Sequence, residues 1–402
     1  MKSLTELFRI GPGPSSSHTI GPQRAAKLFK EAYPKAKRYE VDLFGSLALT
    51  GKGHMSDVII EKTFAPVPCK VHFKSGNDLK HPNTLVLYAY DEAGQELEHW
   101  TVYSIGGGAI TIEGRKTVEG KEVYPHQTMK AISEYCQQEK ISLWEYVDRF
   151  EDINDYLNEI LLQMCHTVDN GLNTKGLLPG KLKLERIARK LLDKANICEN
   201  PMEKEKLLLS AYAYSASEEN AAGGITVTAP TLGSSGVLPA LVYYYYYDRK
   251  LQREELIKGL KIAGIVGDLI KQNATISGAQ GGCQAEIGAA CAMGAAMVAY
   301  LRGLNQHQIE YAAEMGIEHH LGLTCDPVGG YVMIPCIERN AVAALRAMDA
   351  AILAEFISKV KQNRVSFDMI VNTMNYTGKK LPMELRETSL GGLATIVPLE
   401  SC

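Results

Sequence analysis

The sequence predicts an α+β N-terminal domain followed by a larger all-α C-terminal domain. Three observations carry this. The chain has 402 residues, more than one compact core accommodates. Before about residue 113, short runs of β-formers are separated by turn residues. From Pro125 onward, helical periodicity in Leu, Ala, Ile, Glu and Lys takes over. Taken in order, 20–33 reads as a helix after a Gly/Pro/Ser loop, and 38–44 and 58–60 read as strands. Runs 69–73, 83–90 and 98–104 alternate or carry β-formers, and Gly106, Gly107 and Gly108 separate them from another β-like run, 109–113. Helices are expected at 127–140, 143–164, 183–192, 203–214, 237–247, 254–270, 283–301, 306–319 and 341–360. The expected division is a small α+β domain over 1–135, a linker with connecting helices over 136–180, and an all-helical domain over 181–402.

Apolar residues make up 46% and charged residues 22%, ordinary values for a globular protein in water. The formal net charge is −3, so no basic excess favours nucleic acid or an acidic membrane surface. The N-terminus lacks the apolar core of a secretory signal. The longest uncharged apolar stretch, 287–301, falls short of the roughly 20 residues that a membrane span needs. The expectation is a cytoplasmic protein with neither nucleic-acid nor membrane partners. There are nine cysteines and no CxxC pair, which removes the usual support for a zinc ribbon or a thioredoxin-like site. The run Tyr243–Tyr247 faces all sides of a helix and reads as packing or a subunit contact.

Three cysteines sit where thiolates can converge. Cys283 follows Ser-Gly-Ala-Gln-Gly-Gly and opens a predicted helix, where backbone N–H groups stabilise a thiolate. Cys325 lies in the turn sequence Leu-Thr-Cys-Asp-Pro-Val-Gly-Gly, and Cys336 follows Pro335. Cys291 lies about 12 Å along the same helix from Cys283 and reads as packing. Spacing alone leaves a metal centre and three buried thiols equally open. A cubane cluster usually takes four thiolates, so three would leave one iron with an open position, able to act as a Lewis acid.

Ser15, Ser16, Ser17, His18 and Thr19 precede a helix and offer hydroxyls and N–H groups suited to a carboxylate. Helix capping is the competing reading. His54 follows Gly51-Lys52-Gly53 and is expected on a flexible loop. Thr226, Thr228 and Thr231 surround Pro230 and precede Gly233-Ser234-Ser235-Gly236, where small residues permit close approach of a substrate or cluster. A phosphate loop would need a Gly-Lys-Ser/Thr end, which is absent. His319 and His320 read equally as groups near Cys325 or as helix-end packing.

Gly11-Pro-Gly-Pro-Ser-Ser-Ser-His-Thr, Phe44-Gly-Ser-Leu-Ala-Leu-Thr-Gly-Lys-Gly-His, Thr226-Val-Thr-Ala-Pro-Thr, Gly281-Gly-Cys-Gln-Ala-Glu-Ile-Gly, His320-Leu-Gly-Leu-Thr-Cys-Asp-Pro-Val-Gly-Gly and Glu387-Thr-Ser-Leu-Gly-Gly-Leu-Ala stand in this order. Together they resemble the iron–sulfur-dependent bacterial L-serine dehydratases, also called L-serine ammonia-lyases, in their single-chain form. The stretch between the domains is shorter here than in single-chain members. The resemblance implies a [4Fe–4S] cluster on Cys283, Cys325 and Cys336, an all-α catalytic domain and a homodimer. It implies conversion of L-serine to pyruvate and ammonia, by loss of water at an open iron and hydrolysis of an imine. His18 and His54 then stand as catalytic groups, and Ser15, Ser16, Ser17, Thr19, Thr226 and Thr231 as substrate-binding groups. Cys402, the last residue, is a candidate fourth iron ligand in the absence of serine. The alternatives are a related iron–sulfur hydro-lyase acting on L-threonine or another hydroxy acid, and a cluster-binding sensor without turnover. An enzyme using pyridoxal phosphate would need a lysine and a phosphate loop on an α/β fold, which the helical part of the chain does not offer.

Overall fold

The computed structural model describes residues 1–76, 78–115, 120 and 122–397. Cys402 lies outside the described residues. The chain begins with β1 (Ile10–Pro12), a wide helical turn at Ser16–Ile20, and α1 (Gly21–Ala32). Next come β2 (Arg38–Gly45), α2 (Ser46–Thr50), α3 (Ser56–Phe64), β3 (Cys69–Phe73), β4 (Asn83–Tyr90), β5 (Glu96–Gly106) and β6 (Ala109–Ile112). Five of these strands form one sheet in the order β3-β2-β4-β5-β6, with β2 and β3 parallel and the other neighbours antiparallel. Strand alternation buries Tyr39, Val41 and Leu43 of β2 and Leu85, Leu87 and Ala89 of β4. They pack with Ala25, Ala26 and Phe29 of α1 to make one core.

One expectation needs correction. Residues 58–60 are not a strand but the middle of α3. The β-branched run favours a strand locally. As a helix, however, the segment turns Ile59, Ile60 and Phe64 onto one buried side, where Phe64 stacks on Tyr39 at 4.1 Å between ring centroids. Tertiary burial outweighs a propensity difference of well under about 1 kcal/mol per residue.

The remainder is helical: α4 (Met129–Glu139), α5 (Leu143–Phe150), α6 (Asn154–Asn173), α7 (Ala188–Asn196) and α8 (Pro201–Ala221), followed by the short strand β7 (Ile225–Val227). Then come α9 (Val237–Tyr243), α10 (Arg253–Asn273), the single turn α11 (Gly278–Gly281), α12 (Ile287–Leu301), α13 (Gln306–Glu318), α14 (Cys336–Ile357), α15 (Phe367–Lys380) and α16 (Leu393–Ile396). Helix α12 is buried on every side and packs against α9, α10, α13 and α14. Its small residues allow this. A Cβ on Gly316 of α13 would lie 2.7 Å from the Ala292 backbone, so the two helices approach to near contact.

The expected helix 143–164 is broken at Glu151, whose carboxylate binds Ser3, the Leu4 amide and Tyr124. That anchor draws the N-terminus away from the sheet: Met1, Leu4, Leu7 and Phe8 belong to the helical core, and Leu4 and Phe8 reach Gly264 of α10. Within the connecting stretch, α6 supplies Leu157, Ile160, Leu161, Met164 and Val168 to that same core. Strands β1 and β7 pair antiparallel, with Gly11 opposite Thr226, and tie the start of the chain to the helical body. Helix α15 is an addition to the expected set.

Phe8→Ala should therefore destabilise the helical body by about 3–5 kcal/mol, the cost of emptying a buried aromatic site. Urea unfolding followed by far-ultraviolet circular dichroism measures this. A loss below about 1 kcal/mol would mean that the first eight residues are not core.

Candidate active site

The two bodies meet at a buried polar site. On the N-terminal side, Ser15 caps the turn Ser16–Ile20 by accepting from the His18 amide at 3.2 Å. Thr19 donates to the His54 carbonyl at 3.0 Å, joining the turn to the segment between α2 and α3. Strand β2 ends at Gly45, whose φ of 58° turns the chain directly into α2. Helix α2 then places Ser46 Oγ and Thr50 Oγ1 each 3.1 Å from His18 Nε2.

These contacts set the proton on each ring. Ser46 Oγ donates to the Glu387 carbonyl at 2.5 Å, and Thr50 Oγ1 donates to the Ser46 carbonyl at 3.0 Å. Both must then accept from His18, so Nε2 carries its proton and Nδ1 accepts from Ser17 Oγ at 2.8 Å. His54 is the reverse. Its Nδ1 lies 2.8 Å from the Thr50 carbonyl and must donate, which leaves Nε2 with the lone pair. The rings stack at 4.4 Å, and the two lone-pair nitrogens lie 3.6 and 3.7 Å from Glu387 Oε1. Burial holds His18 well below the usual histidine range and takes His54 down to about 4. Both are neutral bases near pH 7.

The helical body supplies the other half. Gly282, with φ 73°, leads into a tight turn, Cys283–Ala285, just before α12. Cys325 lies in the loop after α13, and Cys336 is the first residue of α14, immediately after Pro335. The sulfurs of Cys283 and Cys325 and a Glu286 carboxylate oxygen lie within 4.8 Å of one another. Thr231 Oγ1 donates to Glu286 Oε1 at 2.7 Å. A hydrogen bond with Cys325 and the nearby Arg339 guanidinium hold the Cys283 thiol down, and the same pairing pushes Cys325 up. Cys336 is raised by burial and then by the charge of Cys283. Burial also raises Glu286 and Glu387.

Most of the residues expected from the sequence converge here: Ser15, Ser16, Ser17, His18, Thr19 and His54 on one side, Thr231, Cys283 and Cys325 on the other. Cys336 is buried at the head of α14 but stands outside the group of ligand atoms that lie within 4.8 Å of one another. His54, expected on a flexible loop, is instead buried. The segment before it is pressed onto the 329–330 turn, so closely that a Cβ on Gly53 would lie 2.4 Å from the Gly330 carbonyl oxygen. Thr226 stands one step back. Its hydroxyl donates to Asn220, whose amide holds the Pro14 carbonyl at 2.8 Å. His319 and His320 turn their Nδ1 atoms to carbonyls of their own helix. Cys291 is packed inside α12, its thiol pushed up to about 12 by burial.

Sequence reasoning missed Glu286, Glu387, Ser46, Thr50 and Arg339. Glu286, Glu387, Ser46 and Thr50 lie within the motifs quoted above. The available signal was a carboxylate three residues after Cys283 in a glycine-rich segment, and a second opening the motif at 387–394.

The donor set suits an iron–sulfur group. Three buried thiols are soft ligands, and a Cβ on Gly278 would sit 3.2 Å from Cys325 Sγ and 2.7 Å from Glu286 Oε2, in room that only glycine leaves open. Glu387 Oε2, facing the same space, is buried without a hydrogen-bond partner.

Residues 95–394 match the serine dehydratase alpha chain family and residues 3–65 the serine dehydratase beta chain family. The L-serine dehydratase of Haemophilus influenzae is 37% identical, over 98% of this chain and 99% of the relative. L-serine dehydratase 1 of Escherichia coli is 37% identical over the same shares, and the L-serine dehydratase of Streptomyces coelicolor 36% over 98% of each.

The burial of His54 has a measurable consequence. The unfolded chain protonates His54 near pH 6.5 but the folded chain only near 4, so between these values the unfolded state binds more protons. The native state loses this contribution as pH falls from 6.5 to 4. His54→Gln should shrink the drop in urea-unfolding free energy between pH 7 and pH 5. An unchanged drop would mean that His54 does not titrate in this way beside His18 and Glu387.

Proposed function

The chain belongs to the serine dehydratase family, and on that premise we propose that it is an L-serine ammonia-lyase, releasing pyruvate and ammonia. The observation that carries this reading is the pair of neutral histidine bases at Glu387 set opposite the adjoining buried thiols of Cys283 and Cys325. Cys283, Cys325 and Cys336 would hold a [4Fe–4S] cluster, which when bound supplies a Lewis-acid iron to help the poor β-hydroxyl leaving group depart.

The chain's own residues do the rest. At the start of the turn Ser16–Ile20, the Ser16 and Ser17 N–H groups and the Ser16 hydroxyl are the donors left for the substrate carboxylate, since the later amides bond to Ser15 and the Ser17 hydroxyl donates to His18. Thr226 keeps this loop in place through Asn220 and Pro14. His54 Nε2 has a lone pair and no hydrogen-bond donor on it, unlike His18 Nδ1, which accepts from Ser17, so His54 takes the α-proton, with Glu387 Oε1 beside both rings. His18 is held by Ser46 and Thr50 and polarises the Ser17 hydroxyl. Thr231 fixes Glu286 beside the thiols. Loss of the α-proton and the β-hydroxyl leaves an aminoacrylate, which tautomerises to an imine, and water converts that to pyruvate and ammonia. Burial of the whole site keeps bulk water from competing for these protons. The substrate is small, and a pocket that takes serine discriminates against one extra methyl by only about 1–3 kcal/mol, so slow turnover of L-threonine is expected too. The enzyme acts in the cytoplasm as a homodimer.

Anaerobic, iron-replete protein should form pyruvate from L-serine. A complete lack of pyruvate would refute the assignment. Cys283→Ala, Cys325→Ala and Cys336→Ala should each lose iron, sulfide and activity together, whereas Cys291→Ala should keep all three. Gly278→Ala should still fold, with the far-ultraviolet circular dichroism of the parent, yet bind less iron, because its Cβ intrudes on Cys325 and Glu286. Full iron content in that variant would place the cluster elsewhere.

A further inference from the structure

The groups at the centre of the site are buried, so a substrate dissolved in water needs a way in. Two large cavities border the site. The first, about 820 Å³, lies between α14 and the 178–187 segment, behind Pro335 and Arg339. The second, about 780 Å³, lies between α2 with the 76–82 segment and the ends of α10 and α15.

Their charges differ. Glu185, Glu218 and Glu338 line the first cavity, and its arginines are already paired, Arg339 with Asp326 at 3.5 Å and Arg346 with Asp349 at 3.4 Å. Glu185 is paired with Lys190 at 2.7 Å and Glu218 accepts from the Ile187 and Ala188 amides, so a carboxylate entering there meets Glu338 and, among the described residues, no unpaired cation. The second is lined by one acid, Asp78, and by two cations, Arg386 and Lys379. Among the described residues neither forms an ion pair. Arg386 is half-buried, its Nε is shut off from water without a hydrogen-bond partner, and its Nη1 reaches only the Gln280 carbonyl at 3.4 Å. A guanidinium withdrawn from water without a counter-charge is costly, and its planar fork matches a carboxylate.

The second cavity also ends at the chemistry. Ser46, Ala279 and Thr388 line it. Ser46 contacts both His18 and the Glu387 carbonyl, Thr388 directly follows Glu387, and Ala279 directly follows Gly278. We propose that this cavity is the access route for an amino-acid substrate and that Arg386 receives the substrate carboxylate there, ahead of the turn Ser16–Ile20. The proposal rests on the serine dehydratase reading and extends it with a specificity-determining residue. Arg386 selects for a carboxylate at the mouth, and the histidines and thiols act on what it admits.

The buried cysteines report this traffic without any turnover. In the full-length chain freed of metal, the alkylation rates of Cys283 and Cys325 are followed by peptide mass spectrometry, using iodoacetate and the neutral, similar-sized iodoacetamide. Arg386→Gln should slow iodoacetate by about tenfold, in line with electrostatic guidance in a charged cleft, and leave iodoacetamide unchanged. Arg386→Lys should recover part of the iodoacetate rate. Leu49→Trp, a half-exposed position at the rim, should slow both reagents, and Val342→Trp in the first cavity should slow neither. In the iron-replete enzyme, Arg386→Gln should raise KM for L-serine with little change in kcat. An iodoacetate-to-iodoacetamide ratio equal to wild type in Arg386→Gln, or slowing by Val342→Trp in place of Leu49→Trp, overturns the proposal. Wild-type protein that makes no pyruvate would refute the dehydratase reading and leave the labelling pattern intact, so the two failures are distinguishable.

Discussion

A three-bond clasp around Glu387 holds the two halves of the site in register. The Cys325 amide donates to the Leu385 carbonyl at 2.8 Å, and the Glu387 amide donates to the Cys325 carbonyl at 2.6 Å. From the other body, Ser46 donates to the Glu387 carbonyl at 2.5 Å. Glu387 adopts φ 57°, a left-handed conformation that costs a residue with a Cβ about 1–2 kcal/mol. The clasp outweighs that cost, and the strained backbone aims the carboxyl group at one nitrogen of each stacked histidine ring and toward the thiols. Backbone strain held in place by surrounding bonds is common at functional sites.

Burial then tunes every titratable group at the clasp in the same sense. It lowers the histidines and raises the carboxyls, so neutral forms dominate among side chains that would be ions in water. Arg339, beside Cys283, is the cation that offsets charge at the thiols, and it is itself anchored by the Thr324 carbonyl at 2.6 Å and by Asp326. Neutral bases beside the site where the proposed cluster would bind suit abstraction of a weakly acidic α-proton. Water in the same space would erase the advantage. A closed site in turn demands a guided path inward, which gives an uncompensated guanidinium at a cavity mouth its significance.

The helical body is the rigid support for this arrangement. Helix α12 is dry and surrounded, and its alanines and glycines let neighbours approach closely enough to fix where Cys283, at its entrance, and Cys336, at the head of α14, can sit. Asp326 Oδ2 accepts from the Leu393 amide at 2.8 Å, so the loop carrying Cys325 also holds α16. The N-terminal strand β1 and residues Met1 to Phe8 lock onto the same body. The start of the sheet body is thereby tethered on both sides of Arg9, and the Ser–His turn that follows has little freedom to drift from the thiols.

Much of this was readable in the residues themselves. Alternating and helical periodicities separated the sheet from the bundle, because each arises from neighbours in the chain. Cysteines flanked by glycine and proline, and a serine–histidine run before a helix, stood out as candidates for a similar local reason. The strand expected at 58–60 failed because burial of Ile59, Ile60 and Phe64 on one face outweighs local β preference. His54 was expected on a flexible loop because the small residues around it look mobile in isolation, and only their fit against Gly330 makes them rigid. Glu387, Ser46 and Arg386 carried no local signal of partnership. Ser46 meets the Glu387 carbonyl across 341 positions of chain. Sequence determined which groups could do chemistry. Tertiary structure alone decided which of them meet, which protons they hold and from which side a substrate arrives, because those properties depend on long-range packing and on the exclusion of water.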